Sequence, residues 1–223
     1  MVTGTSLHAS RDALRLARLN PGVLYSTAGI HPHDAKSWED DETPGRLREF
    51  LKCPECVAVG ECGLDFNRNF SPPETQLEVF EKQVRPPFPV FTLSKIFMEE
   101  IVVNFFQIQI ACEIKKPLFL HEREAHKEMV ELLEKYKDKL PTCVIHCFTG
   151  TREHAEKYLS MGCYIGLTGY LWKDKSENGV RKILEDNVIP LDRLLVETDA
   201  PFMYPNTRAS KLPQNVKDRL TEK

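Results

Sequence analysis

An α/β barrel is the fold this sequence predicts, and two observations predict it. Short apolar runs alternate six times with helical patterns, and most of those runs end on a single polar residue. Such alternation marks a parallel α/β sheet, and its regularity favours a (β/α)8 barrel over an open sheet. In a barrel the strand ends open onto one face. Polar residues far apart in the chain are therefore expected to meet there.

The elements follow in order. Residues 1–5 read as the tail of a strand. Ala13, Leu14, Leu16 and Ala17 give residues 7–19 a helical face, which Asn20-Pro21-Gly22 ends. Residues 23–30 read as a strand leading directly to His31-Pro32-His33-Asp34, and 42–51 as a helix. Val57-Ala58-Val59-Gly60-Glu61 is an apolar run closed by glycine, so Glu61 is expected where a buried strand opens into a loop. A helix over 74–83 comes next. Residues 84–107 are rich in Phe, Val and Pro and have no clean period. A helical pattern resumes at 108–115. Residues 117–121 form a strand ending in His121, and 123–136 an amphipathic helix. The strand 143–145 ends at His146. Helices at 153–161 and 179–187 flank a strand at 163–167, and the strand 194–199 ends in acid.

The chain has 223 residues, 41% hydrophobic and 28% charged, the profile of an ordinary globular domain. A net charge of −3 gives no global pull toward nucleic acid or anionic membrane, although bound metal ions can supply a local positive field. No apolar run reaches the ~18 residues of a membrane span. Seven scattered cysteines predict reduced thiols in a cytoplasmic or nuclear protein. Cys53-Pro54-Glu55-Cys56 is a lone CxxC without a second pair at zinc spacing.

The strand-end residues His31, Glu61, His121, His146 and Asp199 carry the chemistry. Imidazoles and carboxylates together suit Zn²⁺, Mn²⁺ or Mg²⁺. A carboxylate that bridges two ions ~3.5–4 Å apart suits phosphoester hydrolysis. Any one histidine is more readily a satisfied core residue; four or five such residues, each at the end of a separate strand, argue for a metal centre. Arg123 is a candidate phosphate ligand, or simply the first charge of a helix. Phe148, Tyr170 and Trp172 are placed to stack on bases, with packing the plainer role for Phe148.

Gly29-Ile30-His31-Pro32-His33, Gly60-Glu61-Cys62-Gly63-Leu64-Asp65, Phe119-Leu120-His121-Glu122-Arg123, His146-Cys147-Phe148-Thr149-Gly150 and Glu197-Thr198-Asp199-Ala200-Pro201 stand in one order. In that order and content the chain resembles the TatD family of metal-dependent deoxyribonucleases, which are TIM-barrel proteins related to the amidohydrolases. The resemblance implies hydrolysis of DNA phosphodiester bonds, as a 3′→5′ exonuclease using two divalent ions. It implies that Glu61 bridges the ions, His121 and His146 complete the second site, and Asp199 binds the first and activates water. His31 would contact the scissile phosphate and Glu197 would support the site from behind. DNA is the expected partner and the chain is expected to be a monomer away from membranes.

Three departures from that family pattern qualify the expectation. The family opens on a strand carrying His-x-His, whereas His8 has no such neighbour. The first barrel strand and two ligands are expected to be missing, as are the last helices and an Arg-Asn-Glu-Pro loop. Residues 84–107 have no family counterpart, so 1–223 is expected to be one barrel domain with an insertion. We hypothesise a retained intron of 24 codons, because Val codons begin GT and a pyrimidine-rich run ending CAG would encode Phe-Phe-Gln. Genomic sequence lacking GT at Val84 or AG at Gln107 would sink that idea. An open barrel leaves backbone edges unpaired, so a marginally stable chain with one metal site largely intact is expected. Its activity is therefore in question. The alternatives are an impaired remnant that binds nucleic acid or a partner, and a metallohydrolase acting on a small amide or ester. Against the last, no strand-end lysine suited to carbamylation is present.

Overall fold

The structure, a computed structural model, describes residues 1–84 and 110–203. Apart from Val84, the expected insertion lies outside the described residues, and so do the last twenty positions. Six parallel strands pair in sequence order, β1 to β6: Ser26–Ala28, Cys56–Asp65, Leu118–Arg123, Cys143–Ile145, Tyr164–Leu167 and Leu194–Val196. Helices lie between successive strands, so the sheet forms the arc of an incomplete (β/α)8 barrel. Among the described residues no pairing joins β6 back to β1. Val2 bridges Ser26 in parallel, and Thr27 N–H donates to Val2 O at 3.1 Å, so the opening residues lie along β1 as a strand tail.

Helix α1, Leu7–Leu19, is capped by Ser6, whose Oγ accepts from Ala9 N–H at 3.1 Å. Ala13, Leu14 and Ala17 turn its apolar face inward. Helices α2 (Thr43–Leu51) and α3 (Pro73–Val84) cover β1 and β2, and α4 (Ile110–Ile114) packs against both helices. Leu47, Leu51, Phe80, Leu118, Leu120 and Leu133 fill the layer between sheet and helices. Full burial of such a side chain stabilises by roughly 1.5–3 kcal/mol. Strands β1 and β2 are buried on both faces, as a helix-covered parallel sheet requires, whereas β6 is largely exposed.

Two glutamines on α3 hold backbone groups beyond the strand ladder. Gln83 Oε1 accepts from Ile30 N–H at 2.8 Å, and its Nε2 donates to Ile30 O at 3.2 Å. Gln76 Oε1 accepts from Asp65 N–H at 2.8 Å, while its Nε2 donates to Asp65 O and Ser71 O. Both side chains are buried. They fix the loops after β1 and β2 to one helix.

Helix α5, His126–Tyr136, starts three residues later than its apolar pattern predicts. The reason is local: β3 continues through Arg123 opposite Asp65, and Glu124 takes φ 54°, which no helix tolerates. Helix α6 (Arg152–Ser160), the short α7 (Tyr170–Lys173) and α8 (Val180–Glu185) complete the layer. β6 ends at Val196, so Glu197 and Asp199 sit in the turn beyond it. Among the described residues no helix is long and apolar enough to cross a membrane. All seven cysteines are free.

Candidate active site

Glu61 lies inside β2, not at its end as the sequence suggests. Pairing passes from Gly60 opposite Phe119 to Cys62 opposite Leu120, and Glu61 is the residue skipped. Such a bulge re-aims one side chain while the strand continues. Gly60 and Gly63 make it feasible, with φ of 138° and 141°. A Cβ would lie 2.2 Å from Phe119 O at the first and 2.0 Å from His121 O at the second. Only glycine lets β3 approach this closely.

The bulge points a buried carboxylate at three imidazoles. Glu61 Oε1 lies 2.8 Å from His121 Nδ1, 2.7 Å from His146 Nε2 and 3.3 Å from His31 Nε2. His121 comes from β3 and His146 from the residue after β4. His31 opens the 3₁₀ turn Pro32–Ser37, where its Nδ1 accepts from His33 N–H at 3.0 Å. Behind His146, Glu197 Oε2 stands 3.3 Å from Nδ1, and Glu197 Oε1 accepts from Cys147 N–H at 2.5 Å. The expected supporting role of Glu197 thus has a geometry.

Charge and burial compete across this cluster. Burial opposes ionisation of Glu61, but His146, His121 and His31 outweigh it and hold the carboxyl well below its ordinary range. Burial also disfavours a charged His146, yet Glu61 and Glu197 raise it to about 10. His121 is raised by Asp65 and Glu61 against burial. Burial lowers His31, more than Glu61 raises it. Asp199 is raised, first by burial and then by the charge of Glu61, with His146 pulling the other way. Asp199 therefore sits within electrostatic reach of the cluster, in a turn with φ 47°.

Two residues of the centre escaped the reading of the sequence. His33 Nε2 and Asp65 Oδ2 lie 2.7 Å apart, and Asp65 Oδ1 also accepts from the N–H groups of Asn67 and Arg68. Their spacing to His31 and Glu61 in the two glycine-bearing motifs was the available signal. Arg123 ends β3 opposite Asp65, and among the described residues its side chain makes no ion pair with the cluster. Phe148 is core, edge-on to Tyr158, whereas Trp172 is exposed with Lys175 Nζ over its ring.

The donor set suits a divalent cation. His31, Glu61 and His121 each offer a ligand atom within 4.8 Å of the others. His121 Nε2 is buried without a hydrogen-bond partner; Asp65 Oδ2 is 3.4 Å away but out of line. A nitrogen left unsatisfied beside two carboxylates fits a metal ligand.

A parallel α/β barrel with histidines and carboxylates gathered on and just after its strands places the chain in the class of metal-dependent hydrolases. The family model of TatD related DNases matches residues 1–86 and 100–222, and the chain belongs to that family. The 3'-5' ssDNA/RNA exonuclease TatD of Erwinia tasmaniensis is 40% identical over 213 residues, covering 96% of this chain and 72% of that protein. The 3'-5' ssDNA/RNA exonuclease TatD of Citrobacter rodentium is 41% identical over 211 residues, covering 95% and 70%. The crystal structure of the TatD homologue YJJV from Escherichia coli K12 superposes with a TM-score of 0.71 at 26% identity, over 98% of this chain and 74% of that one. An amidohydrolase from Saccharomyces cerevisiae shares the fold at 24% identity, with a TM-score of 0.67 over 91% of this chain and 64% of that one.

Proposed function

We propose that the chain is a metal-dependent 3′→5′ exonuclease acting on single-stranded DNA. The observation that carries this reading is the convergence of three imidazoles on Glu61 Oε1. The names of the TatD relatives support the substrate class. The relatives are bacterial, which favours a cytoplasmic setting and lends none to a nuclear one.

In this reading Glu61, His121 and His146 would hold one divalent ion, and Glu61 with Asp199 would hold a second. Two bound ions of Mg²⁺, Mn²⁺ or Zn²⁺ would supply a lowered water pKa and neutralise charge on the phosphate oxygens. Glu61, ionised even though buried, is suited to share its oxygens. His31, kept neutral by burial, keeps an N–H to donate to a phosphate oxygen of the scissile bond. Asp199, raised toward neutrality, is suited to accept the proton of the attacking water. Glu197 fixes the tautomer and angle of His146. Arg123, at the rim beside His121, is assigned to a flanking phosphate. We assign residues 1–223 to one domain with an inserted segment at 84–107; the family match leaves 87–99 unmatched, which supports an interruption there.

The experiment uses single-stranded oligonucleotides labelled at the 5′ or the 3′ end, incubated with Mg²⁺ or Mn²⁺. A ladder of shortening 5′-labelled products, with early release of the 3′ label as mononucleotide, is expected. Internal cuts without a ladder would refute the exonuclease assignment.

A further inference from the structure

Three side chains meet on the outer side of the sheet, away from Glu61. Residues alternate along β3. Phe119 lies beside His146 with ring centroids 4.6 Å apart, so Phe119 and His121 face the barrel interior. Leu118, Leu120 and Glu122 face the helices. There Glu122 meets His126, the first residue of α5, and His154, in the first turn of α6. Each offers one ligand atom, and the three atoms lie within 4.8 Å of one another.

The details argue against simple packing. The rings of His126 and His154 stack at 3.7 Å and 12°. His126 Nδ1 is buried and has no hydrogen-bond partner. An orphaned polar group of this kind is costly, and proteins rarely leave one without a use. Burial, with His154 and Lys157 nearby, lowers His126 to about 4, so its lone pair is available at neutral pH. Glu122 is already oriented: Oε1 accepts from Ala125 N–H at 3.0 Å and Oε2 from Tyr158 O–H at 3.2 Å. Lys157, the opposing charge, is engaged by Glu134.

We propose that Glu122, His126 and His154 form a further metal site, separate from the Glu61 centre, for a borderline divalent ion such as Zn²⁺, Ni²⁺ or Cu²⁺. Two nitrogens and one carboxylate oxygen select that class over Mg²⁺ or Ca²⁺, which take oxygen ligands. One coordination position stays open to water. Loading turns the stacked rings about χ2 so that their nitrogens aim at one point, within the broad wells that histidine has there. The ion would tie the start of α5 to the start of α6 behind the strand that carries His121.

The test is equilibrium dialysis of the full chain against Zn²⁺ alone. A Glu61→Ala background weakens the interior centre, and His154→Gln is added to it. The expected result is about one equivalent of zinc lost on adding His154→Gln, with unchanged far-ultraviolet circular dichroism. Equal zinc in both variants would overturn the proposal. If the double variant does not fold, Co²⁺ added to the Glu61→Ala chain is read by visible absorption. A d–d band that Zn²⁺ displaces one for one supports the site, and its absence overturns it. None of these readouts depends on nuclease activity, so failure here leaves the exonuclease reading separately testable.

Discussion

Raising the pH from 6 to 8 should tighten zinc binding at the Glu61 centre by roughly a hundredfold. The metal-free chain holds a proton on His146 until about pH 10, because Glu61 and Glu197 outweigh its burial. A cation needs that nitrogen bare, so each pH unit below 10 removes tenfold of proton competition, ~1.4 kcal/mol. An ordinary imidazole near 6.5 would give only about a fourfold gain over the same range. His121, also raised, steepens the slope further. The assay is competition of micromolar Zn²⁺ between the chain and a chromophoric chelator at several pH values. A gain of fourfold or less would refute the assigned charge balance. Linkage gives the same group a second signature. Its folded pKa is raised, so its stabilisation is complete below about 6.5 and is lost as pH rises toward 10. Urea midpoints of the chelated chain should therefore fall across that window; a rise would count against the assignment.

Other perturbations have equally definite outcomes. Glu197→Gln removes the brace on His146 and should weaken zinc binding 10- to 100-fold at pH 8.5, read by the same competition; unchanged affinity would deny the brace. Gly63→Ala would set a Cβ 2.0 Å from His121 O at φ 141°, so a loss of about 3 kcal/mol or more is expected in chemical unfolding. Gln83→Leu strands both backbone groups of Ile30, at about 2–4 kcal/mol for two buried hydrogen bonds. Calorimetric melting that leaves the variant within 1 °C of the parent would contradict that reading.

Periodicity carried much of this fold. Helix α1 and strand β4 stand where their apolar patterns put them, because each is bounded by a cap or a turn in the sequence. Strand β2 was less legible. Glycine normally closes a strand, but here Gly60 and Gly63 keep it open for β3 and bulge Glu61 inward. The start of α5 was hidden because Arg123, where the helical reading began, continues β3 opposite Asp65. At the site, His121 and His146 were readable as polar ends of apolar runs. The His33–Asp65 pair was not, because it joins a 3₁₀ turn to the end of β2, 32 residues apart, and only the tertiary fold brings them together. Nor were Gln76 and Gln83, whose amides on α3 do work that sequence pattern assigns to loops.

The central claim is that Glu61 holds the metal on which phosphodiester cleavage depends. It is tested most directly by hydrolysis of labelled single-stranded DNA, measured with bound metal on the same samples, for the chain and for Glu61→Ala. The account predicts Mg²⁺- or Mn²⁺-dependent cleavage by the parent, and joint loss of cleavage and tightly bound metal in the variant. Equal rates in the two proteins would contradict it.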